Sequence, residues 1–168
     1  MRVHDLLSGL PSGIRSLGET EDPLRRPHLM VGGQVTRVVV DVIAATVHVL
    51  FELRQASRLP ANTALLRVDG VVRQDWIRSA WTDDHTSWTI TDATAHRRRQ
   101  EVVFSVRCGE AGALRLVGAS AEVVLLDVTG AAAPPSEPID PRALARLTVA
   151  DESSACEIVG VARWPRDG

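Results

Sequence analysis

The sequence predicts an α+β domain in which one valine-rich helix is wrapped by an antiparallel sheet. Three observations predict it. Apolar residues between 32 and 54 recur at helical spacing; from residue 64 onward the chain alternates with period two; and the 168 residues are 45% hydrophobic, enough apolar surface for one core and one domain. The same composition carries 19 basic against 21 acidic residues. That near-neutral balance removes the usual electrostatic case for a nucleic acid or an anionic membrane as partner.

Residues 1–30 form a lead segment punctuated by Gly9, Pro11, Gly13, Gly18, Pro23 and Pro27, short helical or extended structure followed by loop. The core is expected over 31–130. Within it, Val35, Val38, Val39, Val42, Thr46, Val49, Leu50 and Leu53 fall at i, i+3, i+4, i+7 spacing. Arg37, Asp41, His48 and Glu52 collect within roughly 60° of one another on a helical wheel, whereas one straight strand would split them between two faces. The β-branched content of this stretch supports a competing reading, a hairpin pivoting at Ala44 and Ala45 within an all-β sandwich.

After Pro60 the alternation is clear. Ala64, Leu66, Val68, Gly70 and Val72 alternate with Arg67, Asp69, Arg73 and Asp75 in a strand running towards Trp76. Further strands are expected over 87–96, then over Val102, Phe104, Val106 and Cys108, and then over 114–128 after the turn Gly109-Glu110-Ala111-Gly112. Residues 131–168 read as a Pro- and Ala-rich linker with a tail. Asp140 and Pro141 open a short helix there, and 158–164 add an edge strand.

Several chemistries lack their motifs. His4, His85, His96 and the two cysteines show no metal-ligand spacing, so no metal is expected. There is no dinucleotide fingerprint, no phosphate loop, no lysine at all, and no Gly-x-Ser-x-Gly elbow, so neither a nucleotide cofactor nor a nucleophilic serine is implied. The N-terminus carries Asp5 and no apolar h-region. The longest apolar stretch, 38–53, is broken by Asp41, His48 and Glu52, so a cytoplasmic protein without a membrane span is expected. Cys108 and Cys156 are expected as small buried apolar residues. The run Arg97, Arg98, Arg99 reads as a solvated corner.

The glycine pair in Met30-Val31-Gly32-Gly33, the acid Asp41, and the closing strands over 101–107 and 114–126 resemble the hot-dog fold of acyl-CoA and acyl-carrier thioesterases and dehydratases, over about residues 28–128. The resemblance implies an acyl thioester hydrolase in which amides of Gly32 and Gly33, at a helix start, stabilise the oxyanion. Asp41 would be the general base, while Val31 stands where related thioesterases carry a histidine. The dehydratase and isomerase branch implies instead a pairing of His28 with Asp41. The resemblance also implies a homodimer, with an acyl-CoA or carrier-linked small molecule as ligand. Against it stands a non-catalytic binding or interaction domain, in which Asp41 joins Arg37, His48 and Glu52 on a solvated stripe. Trp76, Trp81 and Trp88 surround one turn that also holds Asp83, Asp84 and His85. These tryptophans could line an aromatic mouth for an apolar ligand, or serve as core or dimer contacts.

Overall fold

The computed structural model describes residues 1–56, 58–78, 88–131 and 150–164. Among the described residues, nine strands form two sheets. They are β1 (Gln34–Asp41), β2 (Thr46–Glu52), β3 (Thr63–Asp69), β4 (Arg73–Arg78), β5 (Asp92–Arg98), β6 (Glu101–Cys108), β7 (Gly112–Gly118), β8 (Ser120–Val128) and β9 (Cys156–Trp164). Five strands run in the order β1-β2-β3-β8-β9 and four in the order β4-β7-β6-β5, with every pair antiparallel. The described helices are α1 (Val3–Leu7) and 3-10 turns at Pro27–Met30 and Gly109–Ala111.

The central helix of the hot-dog arrangement is therefore not present. Residues 34–52 are a hairpin, β1 and β2, with Asp41 opposite Thr46 and Val39 opposite His48. A four-residue turn explains why helical spacing misled. An even number of turn residues reverses the parity of the return strand, so Arg37, Val39 and Asp41 share one face with His48, Leu50 and Glu52. The polar residues that one straight strand would separate are thus gathered by a folded one. The β-branched residues then sit where their propensity favours them.

Two expected strands turn out to be corners. The run 64–75 breaks at Gly70, whose φ is +59°, into β3 of one sheet and β4 of the other. The run 114–128 breaks at Gly118 and Ala119 into β7 and β8 in the same way. The Ala119 amide donates to the Asp69 carbonyl at 2.8 Å, so both crossings lie side by side. Strands that change sheets at such corners fold one long meander into a sandwich.

The inner core lies between the sheets and is built from Val47, Val49, Phe51, Leu66, Val68, Phe104, Val106, Leu114, Leu116, Val123 and Leu125. Phe51 and Phe104 meet edge to face across it, with centroids 6.2 Å apart. A second cluster, Leu50, Leu65, Val124, Leu126 and Val161, lies on the outer face of the five-stranded sheet beneath Val3 and Leu6 of α1. The lead segment is thus a cover. The Val3 amide donates to Ser154, the His4 amide to Glu152, and the Leu17 amide to Val161 along the β9 edge. With both faces covered, every residue of β2 is buried. The short helix expected at Asp140 and Pro141 lies outside the described residues.

Candidate functional site

The residues singled out from sequence fall at two opposite ends of the sandwich. Gly32 and Gly33 follow the 3-10 turn and lead into β1, and they pair with the segment that enters β5. The Gly32 amide donates to the Ile90 carbonyl at 2.9 Å, the Ile90 amide to Gly33 at 2.8 Å, and the Val35 amide to Trp88 at 3.0 Å. The Gly33 amide donates to the Met30 carbonyl at 3.0 Å. Both glycine amides are spent within the backbone and no helix starts there, so the oxyanion geometry that the resemblance implies is not formed. Close packing accounts for the glycines instead. A Cβ on Gly32, at φ +91°, would lie 2.9 Å from the Gln55 carbonyl, and one on Gly33 would lie 2.9 Å from the Glu52 carbonyl.

Trp88 joins this end and lies over Gly112, while Trp76 on β4 stacks against it with centroids 4.3 Å apart. The structure therefore brings Gly32, Gly33, Trp76 and Trp88 to one end. Trp81, Asp83, Asp84 and His85 lie outside the described residues. His28 is exposed in the 3-10 turn at this same end.

Asp41 is elsewhere. It closes β1 at the far end, roughly 23 Å along the strand from Gln34 at about 3.3 Å per residue, so it does not converge with His28. Its Oδ1 accepts the Ile43 amide at 3.0 Å and the Ala44 amide at 2.9 Å, the geometry of an Asx turn. Asp41 organises a turn in solvent rather than a base in an apolar tunnel.

That turn presents a surface that sequence reading missed. The Ile43 side chain is 100% exposed, Val42 83%, and Val72, on the neighbouring turn, 70%. The two turns are locked together: the Val71 amide donates to Ala45 at 2.8 Å, and the Thr46 hydroxyl donates to Asp69 Oδ1 at 3.0 Å. Ala45 takes φ +50°, the left-handed region, to complete the turn. Turn tips are ordinarily polar. The signal in the sequence was the run Val42-Ile43-Ala44-Ala45 after a lone turn-forming aspartate.

The solvated stripe is also corrected. Arg37 and Asp41 are exposed, but His48 is only 6% exposed and Glu52 3%. Glu52 forms an ion pair with Arg54, Nε to Oε1 2.8 Å, the side chains being 2% and 0% exposed, and its Oε1 also accepts the Arg54 amide at 2.7 Å. His48 lies under α1 beside a cavity of about 10 Å³, the size of one water molecule, lined by Leu7, Val39, Leu50 and Leu65. Its Nε2 has no hydrogen-bond partner among the described residues.

Burial, and then the Arg67 guanidinium, push the His48 imidazole below its ordinary 6.5, against the opposing pull of Asp69, Asp41 and the Leu7 carbonyl. Because the folded state binds the proton less readily than the unfolded chain, stability is full above that ordinary value. It falls as pH drops below it, until the folded form also protonates. Urea unfolding followed from neutral pH downward should show this loss in the wild type and a flatter dependence in His48→Gln. Equal slopes would remove His48 from the account.

Among the described residues no group of three or more His, Cys, Asp or Glu side chains could hold a metal ion. No described helix is long and apolar enough to cross a membrane. Cys108 and Cys156 are buried free thiols, and burial pushes Cys108 up to about 12, which leaves it unreactive. Comparison with protein-family models, curated proteins and solved structures found no match for the chain.

Proposed function

We propose that this chain is a non-catalytic, cytoplasmic interaction domain, a β-sandwich that docks onto another protein surface through the end carrying Val42, Ile43 and Val72. The observation that carries the reading is the rigid display of these side chains. Three large aliphatic groups stand in water on turns fixed by Asx-turn, backbone and Thr46–Asp69 hydrogen bonds. Val31, Val40 and Ile77 are exposed to a lesser degree, and Val42, Ile43 and Val72 are the most exposed large aliphatics among the described residues, gathered at one end.

Surrounding charge selects the kind of surface. The acids Asp41, Asp69 and Asp75 flank the tip together with Arg67 and Arg73, and Arg67 and Arg73 are already paired to Asp69 and Asp75. An anionic membrane is disfavoured by that arrangement, and an apolar patch on a protein is favoured. The hydrolase reading, by contrast, retains no helix start at the glycines: Asp41 lies at the other end of β1, and Glu52, the acid beside Gly33, is buried and paired with Arg54.

Magnitude limits what the tip can do alone. Fully burying three such side chains gives about 4–9 kcal/mol, comparable to the ~4–15 kcal/mol that association costs, so binding must extend to adjoining surface. A photo-crosslinking amino acid at position 43 should capture one defined protein product in extracts of the source cell, and Val72→Asp should abolish the capture. The same protein should release no thiol from short, long or aromatic acyl-CoA thioesters. Diffuse crosslinking unaffected by Val72→Asp, or thioester turnover, would overturn the reading.

A further inference from the structure

We infer that the partner of this end is a second copy of the same chain, joined by antiparallel pairing of the two β1 edges about a two-fold axis at Val39. This deepens the interaction reading above and rests on it. β1 is the outermost strand of the five-stranded sheet. Only its start is covered among the described residues, where Gln34 bridges to Thr89 and the Val35 amide reaches Trp88. From Arg37 to Asp41 the strand presents backbone donors and acceptors with three consecutive valines. That is an edge of the kind that recruits another strand unless it is blunted.

The register follows from the side chains. A two-fold axis normal to the sheet pairs residues that share a face, so a residue can oppose only itself or one an even number of positions away. Arg37, Val39 and Asp41 lie on the outer face and Val38 and Val40 on the inner one. Centring the axis on Val39 places Arg37 of each copy opposite Asp41 of the other, twice over, with Val39 against Val39 between them and Val38 against Val40 on the inner face. Centring it on Val38 or Val40 sets each charge opposite a valine or Ile43. Opposite charges directly across a pair stabilise it, and charge opposite valine does not.

The ends fit as well. Asp41 of one copy opposes Arg37 of the other, so Val42 and Ile43 come opposite Thr36 and Val35, where Trp88 and Thr89 already occupy the edge and strand pairing stops. Val42 and Ile43 therefore run onto that neighbouring copy instead of into water. A two-fold arrangement buries two such tips and adds main-chain hydrogen bonds between them, the adjoining surface that one tip lacks.

Sedimentation equilibrium of the full chain should show a reversible dimer. Arg37→Asp should weaken it by about tenfold or more, Asp41→Arg likewise, and an equimolar mixture of the two should restore dimers, because each then faces its complement. Asp41 also holds its turn and Arg37 also pairs with Glu152 at 3.0 Å, so a second variant leaves both in place. Val39→Cys should form a disulfide dimer on mild oxidation, since each cysteine faces its own copy across the axis. Val42→Cys, more exposed but far from the axis, should crosslink more slowly.

A monomeric wild type, or faster crosslinking at position 42, overturns the inference. If the chain is monomeric yet position 43 still captures a different protein, the dimer fails while the interaction reading stands. If neither dimer nor capture is found, both fail.

Discussion

Replacing Arg54 with methionine is expected to lower the free energy of unfolding by about 3–5 kcal/mol. The reason is the partner left behind. Glu52 sits at the end of β2 between Gln34 of β1 and Thr63 of β3, with its side chain 2% exposed. Its carboxylate keeps the Arg54 amide at 2.7 Å but loses the guanidinium at 2.8 Å. A buried charge stripped of its counter-ion bears a desolvation cost that one backbone hydrogen bond does not offset.

The same physics predicts that the double variant Glu52→Gln/Arg54→Met is far less damaged than the single one, since two neutral groups of similar volume bury cheaply. Urea unfolding of wild type, both single variants and the double variant closes the cycle, with the slopes checked for constancy. An Arg54→Met protein within about 1 kcal/mol of wild type would show that water reaches the pair and that its burial is of no consequence.

The value of that pair for the fold is positional. Glu52 and Arg54 lie where β2 leaves the sheet, against the backbone that Gly32 and Gly33 approach most closely. They fix the end at which the 3-10 turn, the start of β1 and the entry to β5 come together. The opposite end needs no such anchor, because three tight turns bond directly to one another there.

How much of this was legible in the sequence depended on whether one face of a strand met water. β6 shows it over most of its length: Val102, Phe104, Val106 and Cys108 are buried as their alternation implies and Glu101 and Arg107 on the other face are exposed, while Val103 on that face is buried. β2 shows the opposite. α1 and residues near Glu152 cover its outer face, so His48 and Glu52 are buried with the valines and the period-two signal vanishes. Parity did the rest, since the turn at 42–45 brought Arg37, Asp41, His48 and Glu52 onto one face and so imitated a helix.

The site was legible in part for a related reason. Glycines and tryptophans mark close approach and large contact area, and Gly32, Gly33, Trp76 and Trp88 do converge at one end. Asp41 carried no such geometric constraint. An aspartate two residues before a backbone amide caps a turn as readily as it activates water, and here it caps. The exposed tip left a compositional trace only, because no local rule says that Ile43 points outward until the turn that holds it is known.

Substituting alanine for Gly112 should be the most disruptive single-methyl change in the molecule, costing about 2–6 kcal/mol through backbone strain and overpacking together. Gly112 opens β7 opposite Cys108 of β6 and Arg78 of β4, at φ +138°, a region that side chains rarely enter. An added Cβ would lie 2.0 Å from the Ile77 carbonyl oxygen and 3.1 Å from the Trp88 ring. The first neighbour is backbone of the paired strand and cannot rotate away, so β4 must move. Because Trp76 rides on β4 and Trp88 on the segment beside it, the shift should part the stacked rings now 4.3 Å apart. Loss of the tryptophan exciton signal in circular dichroism, together with a lowered urea midpoint, is therefore the expected result. Gly130→Ala supplies the comparison: its φ of +82° carries the same kind of strain, but nothing lies within 4 Å of the new methyl, so it should cost only about 1–2 kcal/mol and leave the tryptophan signal intact. Equal effects at the two glycines would mean that strain alone governs both and that overpacking against Ile77 contributes nothing.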